Sequence, residues 1–169
     1  MSTGLVVEKI GPGATVQDRG RPGWMHQGVA PGGPLDPVLF ERVRRSLGNA
    51  PDTAAIEVPW HGARFRAVGD VTASVDGEPR VLCDGESLDV PADAHAVRYV
   101  GLRGGVDVPV VLGGRGTLLV ASLGGLGGRM LRRGDFLRAG DHSETGPSPV
   151  TFDLDLARGR DPQRAAAAL

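Results

Sequence analysis

Turn residues punctuate the middle of this chain so often that no long helix can build there. Gly62, Gly69, Asp76-Gly77, Asp84-Gly85 and Pro91 cut it into short runs. Within those runs apolar and polar residues alternate with the period of a half-buried strand. Arg64-Phe65-Arg66-Ala67 alternates; Val71, Ala73 and Val75 alternate with Thr72 and Ser74; Val97, Tyr99 and Gly101 share one face of a further strand. Asp76-Gly77 and Asp84-Gly85 are hairpin-type turns, because both residue types tolerate the positive φ of a tight connection. Val6–Ile10 and Ala55–Val58 read as strands, and the apolar runs Val108–Leu112 and Thr117–Leu123 as buried ones. Val150, Phe152, Leu154 and Leu156 alternate with Thr151, Asp153 and Asp155 as the clearest amphipathic strand. The pattern predicts a mainly β fold, a closed or nearly closed β-barrel, since closure removes exposed edges.

One short helix interrupts the strands. Asp36 is a good N-cap, Pro37 suits the first helical position, and Leu39, Val43 and Leu47 recur on one face. Gly48-Asn49 supplies the left-handed stop, which predicts a helix over about Pro37–Leu47. Between the first strand and this helix, Thr15–Gly33 is crowded with Gly and Pro and has almost no periodicity. A loop that long in a compact domain is usually functional or disordered.

Composition narrows the function classes. The chain has 169 residues and a formal net charge of −1. It carries no basic stripe, which argues against nucleic-acid binding, since that rests on neutralised phosphates. No apolar run reaches the length of a bilayer span. Met1–Lys9 lacks a basic start and a long apolar core, so no secretory signal is expected and the cytoplasm is the simplest compartment. Cys83 is the one cysteine; it excludes an internal disulfide and reads as filler in a strand rather than as a nucleophile. His26, His61, His95 and His142 have no ligand spacing, so no metal site is expected. Gly124-Gly125-Leu126-Gly127-Gly128-Arg129 is glycine-rich but lacks the lysine ending of a phosphate-binding loop.

Ten residues stand out as candidates, and each reads two ways. In the long loop, Arg21 could hold a carboxylate in bidentate fashion and Gln17 could read an amide edge. Alternatively Asp18 and Arg21 pair and Gln17 satisfies backbone groups. Asp36 is a helix cap or a ligand; Asn49 ends the helix or joins the site. Glu57, at the end of an apolar strand, is paired with an arginine or poised as a base with a raised pKa. His26, beside Trp24, is a site histidine or a surface one. Arg115 and Arg129 lie in glycine-rich turns, where backbone N–H groups can form an anion nest or simply close the fold. Thr117 follows the first of those turns.

Three segments taken in order resemble a known family. The first is Gly11-Pro12-Gly13 with Gln17-Asp18-Arg19-Gly20-Arg21. The second is Gly32-Gly33-Pro34-Leu35-Asp36, the helix, Leu47-Gly48-Asn49 and Ala55-Ile56-Glu57. The third is Val106-Asp107-Val108-Pro109, Gly113-Gly114-Arg115-Gly116-Thr117, Gly124-Gly125, Gly128-Arg129 and Gly134-Asp135. Together they are similar to the KipA family, also known as the 5-oxoprolinase C subunit, allophanate hydrolase subunit 2 and the biotin-dependent carboxyltransferase subdomain. The match runs from about Leu5 to Ala139. It divides the chain into residues 1–140, a lobe matching the family, and 141–169, a C-terminal strand and tail.

The resemblance implies a cyclophilin-like β-barrel and a partner, the KipI-like protein known as the 5-oxoprolinase B subunit, with a third component, the A subunit. Together these open 5-oxoproline to glutamate at the expense of ATP, which the partner proteins help to bind. On that reading Glu57 and His26 are the catalytic candidates. Gln17, Asp18, Arg21, Asp36, Asn49, Arg115, Thr117 and Arg129 then line the substrate. Two alternatives accompany it: a KipA-type module that sequesters a KipI-type kinase inhibitor, and a biotin-dependent carboxyltransferase subdomain. In the latter biotin must arrive on another protein, because Lys9 is the chain's one lysine. The family carries a second lobe, so a chain holding the first lobe is expected to self-associate or bind a partner through an exposed apolar face.

Overall fold

The computed structural model describes residues 2–141; the expected strand at Val150–Leu156 and the tail beyond it lie outside the described residues. Nine strands follow one another: β1 (Gly4–Ile10), β2 (Thr15–Gln17), β3 (Ala55–Pro59), β4 (Ala63–Val68), β5 (Val71–Val75), β6 (Glu78–Leu82), β7 (Ser87–Val90), β8 (Val97–Leu102) and β9 (Phe136–Arg138). Among the described residues one α-helix, α1 (Pro37–Ser46), lies between β2 and β3. The strands form two antiparallel sheets, ordered β7-β4-β1-β9 and β2-β3-β8-β5-β6. No strand is shared between them. The mainly β architecture with one helix is therefore as the sequence predicts, but the ladders do not close into one ring among the described residues.

Alternation builds the core. In β4 the inward residues Ala63, Phe65 and Ala67 are buried while Arg64 and Arg66 face out. They join Leu5 and Val7 of β1, Leu88 and Val90 of β7 and Leu137 of β9. From the other sheet, Val16, Ile56, Val58, Ala73, Leu82, Val100 and Leu102 enter the same cluster, so the two inner faces share one core. A bulge in β1 between Val7 and Lys9 resets its register on β4.

The β5–β6 hairpin turns at Asp76-Gly77, where φ is +50° and +96°. Asp84-Gly85 is instead a corner between sheets, because β6 pairs with β5 while β7 pairs with β4. There Gly85 N–H and Glu86 C=O bond to Ala67 of β4 rather than across a hairpin. Cys83 sits in this corner, exposed, which corrects its reading as strand filler. The turns at Gly85 and Gly134 lead into β7 and β9, the two edges of one sheet.

β3 is buried on both faces. Its Ile56 and Val58 enter the main core, whereas Ala55 joins Tyr99, Phe40 and Val43 in a second cluster beneath α1. The Tyr99 and Phe40 rings meet edge to face at 5.9 Å. Gly101 continues the Tyr99 face. A Cβ there would lie 2.6 Å from Val43 and 2.8 Å from Leu47, so the missing side chain is what lets the helix seat. Gly101→Val is expected to lift α1 and cost about 1–3 kcal/mol, read as a lowered urea midpoint at unchanged m-value.

The runs Val108–Leu112 and Thr117–Leu123 are not strands. They form loops with isolated bridges and a 3₁₀ turn at Leu119–Ala121. Val110 is 56% exposed and Val120 90% exposed. The physical reason lies in the site that these loops cover: arginine side chains, not a neighbouring strand, take the carbonyls of Val108 and Val111.

Candidate functional site

The loop after β2 turns inward rather than out to solvent. Gln17, Asp18 and Arg21 are all buried, Arg21 to 1% exposure. Arg21 donates from Nη2 to Gly116 C=O at 2.5 Å and from Nε to Val111 C=O at 3.2 Å. It does not pair with Asp18. Asp18 Oδ1 accepts from Gly20 N–H at 2.8 Å and its Oδ2 from Arg115 N–H at 2.5 Å. Among the described residues Arg21 therefore has no carboxylate partner. The guanidinium is held by carbonyl oxygens alone, and burying a charge without a counter-charge is costly.

Glycines make this packing feasible. A Cβ on Gly124 would lie 2.1 Å from Gly116 O and 2.6 Å from Arg21 Nη2; one on Gly116 would lie 2.7 Å from Asp18 Oδ1. The two glycine-rich turns thus close directly over the three loop residues. Gln17 donates to Thr15 Oγ1 at 3.0 Å and to Thr117 C=O at 3.1 Å. Its Oε1 and the Oγ1 of Thr117 are buried without a hydrogen-bond partner. Native interiors leave few such atoms unpaired, and each asks for an explanation.

Glu57 and Asp36 belong to a second network, under the helix start. Glu57 Oε2 accepts from Tyr99 O–H at 2.6 Å and from Leu35 N–H at 2.8 Å. Tyr99 Oη in turn accepts from Asp36 N–H at 3.0 Å. Burial, then the hydrogen bond to Glu57, push the Tyr99 phenol far above its usual range, so it stays a donor. Asp36 Oδ1 caps α1 through Val38 and Leu39 N–H, the role its sequence position predicts. Glu57 is thus held by a tyrosine and a backbone amide, not by an arginine. Sequence reasoning missed Tyr99 as its partner, although strands that pair Glu57 with Tyr99 in register put them side by side. Glu57→Ala strands the Tyr99 hydroxyl and the Leu35 amide. The expected loss is about 2–4 kcal/mol, with Glu57→Gln recovering part of it, measured by chemical denaturation.

Of the remaining candidates Arg115 adjoins the first network through its backbone N–H on Asp18, while Asn49, Arg129 and His26 lie apart from both. Asn49 bridges Leu102 C=O (2.7 Å) and Gly104 N–H (2.8 Å), tying the helix end to β8. Arg129 forms a bidentate pair with Asp135 at 2.7 and 2.8 Å; its guanidinium holds the Asp135 carboxyl below the usual range. Arg115 donates from its side chain to Val108 C=O at 2.5 Å. His26 sits exposed in a 3₁₀ turn, Met25–Gln27, with Gln27 as its side-chain contact at 3.2 Å. No group of three or more metal-ligating side chains occurs among the described residues. No helix among them is long and apolar enough to cross a membrane.

Against this geometry, comparisons with known proteins agree with one another. The family model described as carboxyltransferase domain, subdomain A and B, matches residues 27–168. The chain is 32% identical over 152 residues to the 5-oxoprolinase C subunit of Escherichia coli, covering 80% of this chain and 49% of that protein. It is 33% identical over 152 residues to urea amidolyase of Saccharomyces cerevisiae, covering 80% of this chain and 8% of that protein. The crystal structure of Kluyveromyces lactis urea carboxylase superposes with a TM-score of 0.77 at 30% identity, over 86% of this chain and 15% of that one. The chain thus spans about half the length of the bacterial relative and a small part of the yeast enzyme.

Proposed function

The chain belongs to the family of the carboxyltransferase domain, subdomains A and B, and from that membership we propose that it is a component of an ATP-dependent 5-oxoprolinase complex. The observation that carries the reading is the match along 80% of the chain to a protein named as the C subunit of 5-oxoprolinase. The chemistry of the buried cluster supports it. 5-Oxoproline presents a carboxylate, a lactam N–H and a lactam C=O. Arg21 offers a positive charge with no carboxylate on it, Gln17 Oε1 an unused acceptor and Thr117 Oγ1 an unused hydroxyl. These three complement those three groups. Entry requires the glycine turns at 113–116 and 124–128 to move aside.

In this reading the lactam oxygen takes the γ-phosphoryl of ATP, and water then opens the ring to give glutamate, ADP and phosphate. This chain orients the lactam and neutralises its carboxylate. The KipI-like B subunit and the A subunit complete the site and hold the nucleotide, and the complex works in the cytoplasm. The exposed apolar side chains Val110, Leu119 and Val120 are available to such a partner, or to a second copy of the chain.

Carboxyl transfer is the second reading, favoured by the structural likeness to urea carboxylase; a carboxylated biotin would then arrive on another protein. Carboxybiotin also carries a carboxylate that Arg21 would match, so the companions of the chain decide between the two readings. A KipA-type regulatory role would use the same apolar side chains without catalysis. Purifying the tagged chain from its host and identifying its companions by mass spectrometry separates these. The A subunit and a KipI-like protein together are expected; a biotinylated protein in their place overturns the oxoprolinase reading, and a histidine kinase points to regulation.

A further inference from the structure

A cleft of about 430 Å³ lies outside the buried network, between the Gly32-Gly33-Pro34 segment and helix α1, with Arg19, Glu41 and Arg45 on its walls. That volume is in the range of small-molecule sites. Three guanidiniums converge on the one carboxylate at its edge. Arg44 reaches Glu41 at 2.6 Å, Arg45 at 2.8 Å and Arg19 at 2.9 Å. The Glu41 carboxyl is held well below the usual range, chiefly by Arg44, and is ionised throughout the working pH range.

One carboxylate cannot neutralise three arginines, so the cluster keeps a positive surplus, and of its members Arg19, Arg45 and Glu41 line the cleft itself. Arg44 accounts for the structural share. Its side chain is 14% exposed, bonds both Glu41 oxygens and also donates to Asn49 C=O. Arg19 and Arg45 are different. Their side chains are 53% and 54% exposed, and exposed ion pairs of that kind contribute little to stability. Each commits one N–H to Glu41 and leaves the rest of its fork free. They come from separate elements, the loop after β2 and the last turn of α1, and Glu41 holds both in place. A fork fixed before binding loses less entropy when an oxyanion arrives.

We propose that this cleft binds a small-molecule oxyanion, a carboxylate or phosphate group seated between Arg19 and Arg45, with Glu41 as the positioning residue. The site is separate from the Arg21 cluster and does not depend on the oxoprolinase reading.

The test is calorimetric titration of the full chain at constant ionic strength, with inorganic phosphate and pyrophosphate in one arm and malonate and citrate in the other. Saturable binding at sub-millimolar to low-millimolar concentration is expected in at least one arm, and the arm that binds identifies the group. Arg19→Gln and Arg45→Gln should each weaken it at least tenfold with an unchanged melting temperature. Arg19→Lys and Arg45→Lys, which keep the charge but not the fork, should fall between. Arg64→Gln, at an exposed pair elsewhere, should bind as the parent does. Absence of saturable binding in both arms, or equal loss in the Arg64 control, overturns the proposal.

Discussion

Arg21→Ala is expected to destabilise the fold by about 2–4 kcal/mol, although it removes a charge that the interior has no carboxylate to neutralise. Two charge-assisted hydrogen bonds are lost, to Gly116 and Val111, each worth about 1.5–3 kcal/mol. Relief of the buried charge offsets part of this. Val111 C=O keeps a second donor, Gly114 N–H at 3.2 Å, so Gly116 C=O is the group left bare. A cavity also opens beside Gly114 and Gly124, where a Cβ would lie 3.1 Å from Arg21 Cβ and 2.6 Å from Arg21 Nη2. Arg21→Met fills that cavity without the charge and separates the two contributions. It should be more stable than Arg21→Ala by at least about 1 kcal/mol. If both variants denature at the parent's urea midpoint, Arg21 does not hold the glycine turns together.

Phe65→Ala is expected to cost about 3–5 kcal/mol, a large share of the roughly 5–15 kcal/mol that holds an ordinary domain folded. Phe65 is fully buried in β4, the strand between β1 and β7, and enters the core shared by both sheets. Truncation there opens a void that residues of two separate sheets would have to collapse around. Phe65→Leu should cost a small part of that, since it keeps most of the volume. The check is thermal unfolding followed by far-ultraviolet circular dichroism. A loss under about 1 kcal/mol would mean that the sheets do not share a core at this position.

The helix was legible because its signals are local. Asp36 and Pro37 mark its start, and the cap bonds of Asp36 occur where that spacing puts them. The Asp76-Gly77 hairpin was legible for the same reason. What the sequence hid is long-range. Val108–Leu112 has the composition of a strand, but its backbone is committed to guanidiniums from Arg115 and from Arg21, the latter ninety residues earlier in the chain. Asp84-Gly85 has hairpin chemistry, yet sheet membership, which no local pattern encodes, turns it into a corner.

The site divides along the same line. The density of Gly and Pro in Thr15–Gly33 flagged a loop with a purpose, and the structure brings Gln17, Asp18, Arg21, Arg115 and Thr117 together there. Of the two readings of this loop, Gln17 does satisfy a backbone carbonyl, but Asp18 and Arg21 do not pair, because backbone N–H groups of Gly20 and Arg115 occupy the carboxylate. Arg44 and Arg45 lie off the apolar stripe of Leu39, Val43 and Leu47. Nothing local tells that Arg19, from before the helix, joins them on Glu41.

We propose that this chain works on 5-oxoproline within a multisubunit enzyme. The direct measurement is glutamate release from 5-oxoproline with ATP, using the KipI-like B subunit and the A subunit of the same host, with and without this chain. Chain-dependent glutamate formation, with one ATP hydrolysed per ring opened and no turnover of urea, is the predicted result. Glutamate release unchanged by addition of the chain, or turnover that requires a biotinylated protein, would contradict it.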